Sequence, residues 1–115
     1  MDALKALSEI QGVKAWALVG EDGSILEDFQ LNQALASKLL SDPGPSAFAA
    51  ARAVADELGM GPLEELMVEY PEGSILMVPT KKGPMLIVLL DQLSSLGRVR
   101  VVLKKILPLL EEGRA

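Results

Sequence analysis

The amino-acid sequence predicts an α+β fold: one five-stranded antiparallel sheet covered by helices on both faces, in the order α-β-β-α-β-β-β-α. Three observations predict it. An Asp22-Gly23 pair stands between two apolar runs, the strongest short signal for a hairpin. Three strand-length runs, Leu63–Tyr70, Ser74–Pro79 and Met85–Leu90, follow one another across short turns and read as a meander. The segments before, between and after these strand groups carry apolar residues at helical spacing.

Asp2 to Ile10 reads as a short helix, with Asp2 as its cap and Leu4, Leu7 and Ile10 on one face. Gly12 follows where a helix end wants positive φ. Val13–Val19 is a strand, with Val13, Ala15, Ala17 and Val19 expected on one face and Trp16 and Leu18 on the other. Lys14 is its only charge, so both faces need cover. Both central residues of the Asp22-Gly23 turn are expected at positive φ. Ile25–Gln30 returns as a half-solvated edge strand. Leu31–Leu40 is helical in pattern, until Asp42-Pro43-Gly44-Pro45 break it. Ser46 is placed as the cap of a second, alanine-rich helix, Ala47–Leu58, ended by Gly59. Such a thin helix can approach a sheet or another helix closely. In Leu63–Tyr70, Leu66, Val68 and Tyr70 share one face and Met67 and Glu69 the other. Met85–Leu90 is apolar throughout and is placed at the centre of the sheet. The last helix starts near Ser94 or Ser95 and carries the stripe Leu96, Val99, Leu103, Ile106 and Leu110. Pro108 predicts a kink or an early end there.

Length and composition bound the function. The 115 residues fit a single domain, 1–115, and a 50% apolar content can build a core. The net charge of -5 argues against a nucleic-acid partner, which wants a basic face. With no cysteine and no histidine, disulfides, thiolate nucleophiles, most zinc sites and histidine triads are excluded. Aromatics are 3%, too few for a base-stacking platform. No apolar run approaches the ~18 residues of a membrane helix, and no basic segment leads an apolar one at the start. The expectation is a cytoplasmic protein without membrane insertion. Charge is uneven: residues 1–72 hold 13 acids and 4 bases, residues 73–115 hold 3 acids and 7 bases. The two halves either neutralise one another across the fold, or the basic last helix belongs to a docking face.

Motifs for chemistry are weak. No phosphate-binding GxxxxGK[ST] is present, and Gly59-Met60-Gly61-Pro62 reads as a helix stop and turn. Glu64, Glu65 and Glu69 read as a solvated strand face, Lys81-Lys82 as a hairpin tip, and Lys14 as a strand-start residue. Asp91 reads as a helix cap rather than an acid–base group. No catalytic residue, cofactor site or metal site is expected.

What remains is surface. Leu63–Tyr70 is unusually apolar for an edge strand, and such edges are paired or covered. Together with the alanine helix it predicts a twofold dimer in which strand meets strand and helix meets helix. The interface residues expected are Phe48, Ala51, Arg52 and Ala55 on the helix and Leu66, Met67, Val68 and Glu69 on the strand.

The sequence resembles the roadblock/dynein light chain domain family, a branch of the longin-like folds. The resemblance is carried by Leu7-Ser8-Glu9-Ile10-Gln11-Gly12-Val13-Lys14-Ala15-Trp16-Ala17-Leu18-Val19 with Glu21-Asp22-Gly23 behind it. It continues through Tyr70-Pro71-Glu72-Gly73-Ser74-Ile75-Leu76-Met77-Val78-Pro79, then Leu86-Ile87-Val88-Leu89-Leu90-Asp91 and Leu96-Gly97-Arg98-Val99-Arg100. The resemblance implies a non-catalytic partner of small Ras-like GTPases, like the bacterial gliding-motility and polarity regulators. It also implies dimerisation into a continuous ten-stranded sheet. Arg52, Arg98 and Arg100 are the arginines that could lend charge to a partner, although the resemblance implies positioning rather than an arginine finger. The alternative reading is a small-ligand-binding sensor built on a similar antiparallel sheet.

Overall fold

The computed structural model describes residues 2–40, 43–91 and 96–111. β1 (Val13–Val19) and β2 (Ile25–Phe29) form the first hairpin; β3 (Leu66–Tyr70), β4 (Gly73–Pro79) and β5 (Met85–Leu90) form the meander. β5 also pairs with β1, so the sheet runs β2-β1-β5-β4-β3 with every neighbour antiparallel. The unbroken apolar strand β5 is central, as a strand apolar on both faces must be.

Two hydrophobic clusters flank the sheet. On one side α1 (Asp2–Ser8) and α4 (Leu96–Glu111) set Leu4, Leu7, Val99, Leu103 and Ile106 against Trp16, Leu76, Leu86 and Val88. The helical stripe expected in the last segment is the face α4 buries. On the other side Ala17, Val19, Met77 and Ile87 are covered by α2 (Gln33–Leu40) and α3 (Pro43–Leu58), through Leu39, Leu40 and Phe48. Trp16 is buried, and its indole N–H donates to Ser8 Oγ at 2.9 Å. Its ring stacks on Phe29 with centroids 6.3 Å apart. One side chain thus ties α1, β1 and β2 together.

Several details differ from expectation for local reasons. In the β1–β5 ladder Val13 opposes Leu90 and Ala15 opposes Leu89, so Lys14 is an extra, unpaired residue. This bulge turns Val13 to the Trp16 and Leu18 side of the sheet, away from Ala17 and Val19. The first hairpin is not a two-residue turn. Gly20 N–H donates to the Ser24 carbonyl at 2.8 Å and Gly23 N–H to the Gly20 carbonyl at 2.9 Å. Only Gly23 takes positive φ, 87°, so Asp22 stays in an ordinary conformation and glycine supplies the left-handed bulge residue. Thr80–Pro84 repeats the pattern around Gly83, with φ 116°. α1 ends at Ser8 and Gly12 has φ 97°. α2 begins at Gln33, capped by Asn32, whose Oδ1 accepts from Leu35 N–H at 2.7 Å.

α3 begins at Pro43 and not behind a Ser46 cap: prolines in a first turn lack only N–H groups that have no helical partner anyway. β3 begins at Leu66, later than Leu63. α4 runs through Pro108 to Glu111 without an early end. Lys104, whose carbonyl loses its helical partner at Pro108, is exposed to water on the outer side of the helix. The start expected at Ser94 or Ser95 lies outside the described residues. α4 begins at Leu96, so Asp91 is not its cap; the Asp91 amide donates instead to the Gly12 carbonyl at 2.8 Å.

Candidate functional site

The two free edges of the sheet are built differently. β2 carries Glu27 and Asp28, and its register with β1 shifts at Leu26, so it is bulged as well as charged. Bulges and charges are what keep an edge from pairing. β3 pairs with β4 through five successive residues without a shift, and Glu69 is its only charge. It is the undefended edge.

α3 lies on the same side of the sheet as Leu66 of β3: Phe48 and Leu66 pack against one cluster, Ala17, Val19, Met77 and Ile87. Phe48, Ala51 and Ala55 recur at helical spacing, are half-buried and face their own sheet. Arg52 is exposed, with its guanidinium 5.1 Å from the Phe48 ring centroid. Leu66, Met67 and Val68 are half-buried along the β3 edge, Met67 packing toward the α1 and α4 side. Glu69 is exposed.

The residues expected at an interface therefore fall on three surfaces: the underside of α3, its flank and the β3 edge. The outward stripe of α3 is different and was not among them. Ala47, Ala50, Val54 and Leu58 recur at i, i+3, i+7 and i+11, with Val54 57% and Leu58 62% exposed. Met60, just beyond α3, and Tyr70, at the end of β3, are also exposed, 79% and 58%. The signal was in the sequence: a helix rich in alanine on every side has two apolar stripes, and only one can face the sheet.

The other flank of α3 borders two open clefts. One, of about 670 Å³, lies between Phe48, Arg52 and Asp56 and the twin hairpin tips at Glu21 and Lys81. The other, about 800 Å³, runs from Arg52 and Asp56 to Leu103 and Lys104 of α4. Arg52 and Lys81 line both. The three arginines are not brought together for one role. Arg100 makes a two-pronged contact with Glu65, Nη2 to Oε2 at 2.6 Å and Nε to Oε1 at 3.3 Å, and this hydrogen bonding holds its pKa above the usual value. Arg98 is exposed on α4. Glu65 thus belongs to an ion pair and Glu69 to the edge, so they form no carboxylate cluster. Among the described residues no group of three or more acidic, cysteine or histidine side chains could hold a metal ion. Among them, too, no helix is long and apolar enough to cross a membrane.

This sheet order, with α1 and α4 on one face and α2 and α3 on the other, defines the roadblock class of α+β domains. The chain belongs to the Roadblock/LC7 domain family, whose pattern matches residues 2–90. It is 36% identical over 102 residues to the uncharacterized protein MJ0310 of Methanocaldococcus jannaschii, covering 89% of this chain and 88% of that one. Among solved structures, Myxococcus xanthus MglB superposes with a TM-score of 0.79 at 24% identity, over 93% of this chain and 87% of that one. The gliding protein MglB of Thermus thermophilus superposes with a TM-score of 0.78 at 19% identity, over 96% and 84%. At these identities the two structures share the fold.

Proposed function

We propose that this chain is a non-catalytic regulator or scaffold that binds a small Ras-like GTPase as a homodimer. The observation that carries the reading is the pairing of an undefended edge strand, β3, with an exposed apolar stripe on α3. Buried against a second copy, both become a continuous core; left alone, they are an aggregation hazard. Membership of the Roadblock/LC7 family and the likeness to MglB, a gliding protein, support the choice of partner. The protein acts by holding the partner's own loops and not by lending a group to the reaction. It works where the GTPase works, in the cytoplasm.

The test is affinity capture from the source organism, with GDP or a non-hydrolysable GTP analogue added. A ~20 kDa GTPase retained in one nucleotide state supports the reading. Recovery of the bait alone in both states contradicts it. A second reading, a small-ligand sensor, draws on the cleft between Phe48, Arg52 and the hairpin tips, whose volume of about 670 Å³ suits a metabolite. A thermal-shift screen against nucleotides and metabolites separates the two: stabilisation by one small molecule favours the sensor.

A further inference from the structure

From the symmetry and charge of the β3 edge we infer the register of the dimer: the twofold axis passes through Val68, which pairs with Val68 of the second copy. The inference rests on the homodimer reading above and deepens it.

A strand has a two-residue period, and residues directly opposite in an antiparallel pair point to the same face of the sheet. Two copies of one strand related by a twofold axis carry each residue on the same face. A residue can then oppose only one of its own parity, and some residue must lie on the axis and oppose itself. Five centres are available along Leu66–Tyr70.

Charge and length decide among them. Centring on Glu69 sets Glu69 against itself. Centring on Met67 sets Glu65 against Glu69 twice, and Glu65 is already held by Arg100. Like charges directly opposite are destabilising. Centring on Leu66 or Tyr70 leaves a single residue of the strand opposite itself and throws the rest beyond its ends, over Glu64 or Pro71. Centring on Val68 alone pairs all five residues of the strand with one another and sets no glutamate of the strand opposite another; Glu64 and Glu72, which the same register brings into line, lie two residues beyond its ends. Leu66 then opposes Tyr70, Val68 opposes Val68, and Met67 opposes Glu69. The two Glu69 side chains stand diagonally, about 7–8 Å apart. On the α3 side the seam is wholly apolar, Leu66, Val68 and Tyr70 from each copy, and it covers the exposed Tyr70 ring.

The chain has no cysteine, so single cysteines report the register directly. Each residue from Leu66 to Tyr70 is replaced by cysteine in turn and oxidised with copper phenanthroline, while light scattering gives the mass of each variant. V68C is expected to cross-link at least about tenfold faster than M67C or E69C alone, because only the self-opposed residue brings two Cα atoms within disulfide range. An equimolar mixture of M67C and E69C chains, exchanged before oxidation, is expected to link across copies; this covers the case in which V68C folds poorly. Dimers by mass in which another position cross-links fastest, with no M67C–E69C product, overturn the register and leave the homodimer standing. Monomers at tens of micromolar for the unaltered chain overturn both.

Discussion

At the scale of single residues, the fold leans on a few positions whose neighbours leave no choice. A Cβ on Gly73 would meet the Leu90 carbonyl oxygen, a backbone atom of the central strand that cannot move aside. A Cβ on Gly23 would meet nothing within 4 Å, although its φ is also positive. Gly73→Ala is therefore expected to cost about 2 kcal/mol or more, a fall of roughly 10 °C in Tm, and Gly23→Ala about 1 kcal/mol. Equal Tm losses in thermal unfolding would contradict the steric account. Asp22 accepts hydrogen bonds from Ser24 Oγ at 2.6 Å and Ser24 N–H at 2.9 Å, and these hold its carboxyl below the ordinary 3.8. A depressed carboxylate supports the turn above the unfolded value and loses that support as pH falls through the lower folded one. The Asp22 carboxyl carbon, followed by NMR, is expected to titrate with a midpoint below 3.8; a midpoint at or above it would remove the carboxylate from the turn. The Arg100–Glu65 contact is short but exposed, and such pairs contribute little. Glu65→Gln is expected to leave Tm within the scatter of replicate scans.

At the scale of elements, α3 is the exception to the rules that built the others. Elsewhere one apolar face meets the core. In α3 the inner face carries Phe48, Ala51 and Ala55, and a second stripe through Val54 and Leu58 stays in water. Val54→Glu with Leu58→Glu is expected to leave the monomer fold intact by circular dichroism and to weaken self-association at least tenfold in sedimentation equilibrium. Unchanged association would place the interface elsewhere. Much of this architecture was legible in the sequence. The strands β1 and β5, the central place of β5 and the buried stripe of α4 follow from periodicity and apolar runs. The Lys14 bulge and the Pro43 helix start were not legible, because each depends on a partner or a local geometry that residue type does not fix. The candidate surface was half legible: the β3 edge stood out as apolar for an edge, whereas the outward stripe of α3 needed the sheet in place to show which side was left over.

At the scale of the whole molecule, a chain of 115 residues without cysteine or histidine leaves two apolar features of its described surface uncovered, the β3 edge and the exposed stripe of α3. The acidic first part of the chain and the basic last part do not separate into two bodies: β1 and β5 lie side by side at the middle of one sheet. Light scattering of the purified chain, alone and with its captured GTPase in the GDP and GTP-analogue states, measures self-association and nucleotide-dependent binding together. A homodimeric regulator predicts a mass of two 12.3 kDa chains alone, and two chains plus GTPase in one nucleotide state only. A single-chain mass, or no added mass in either state, would contradict it.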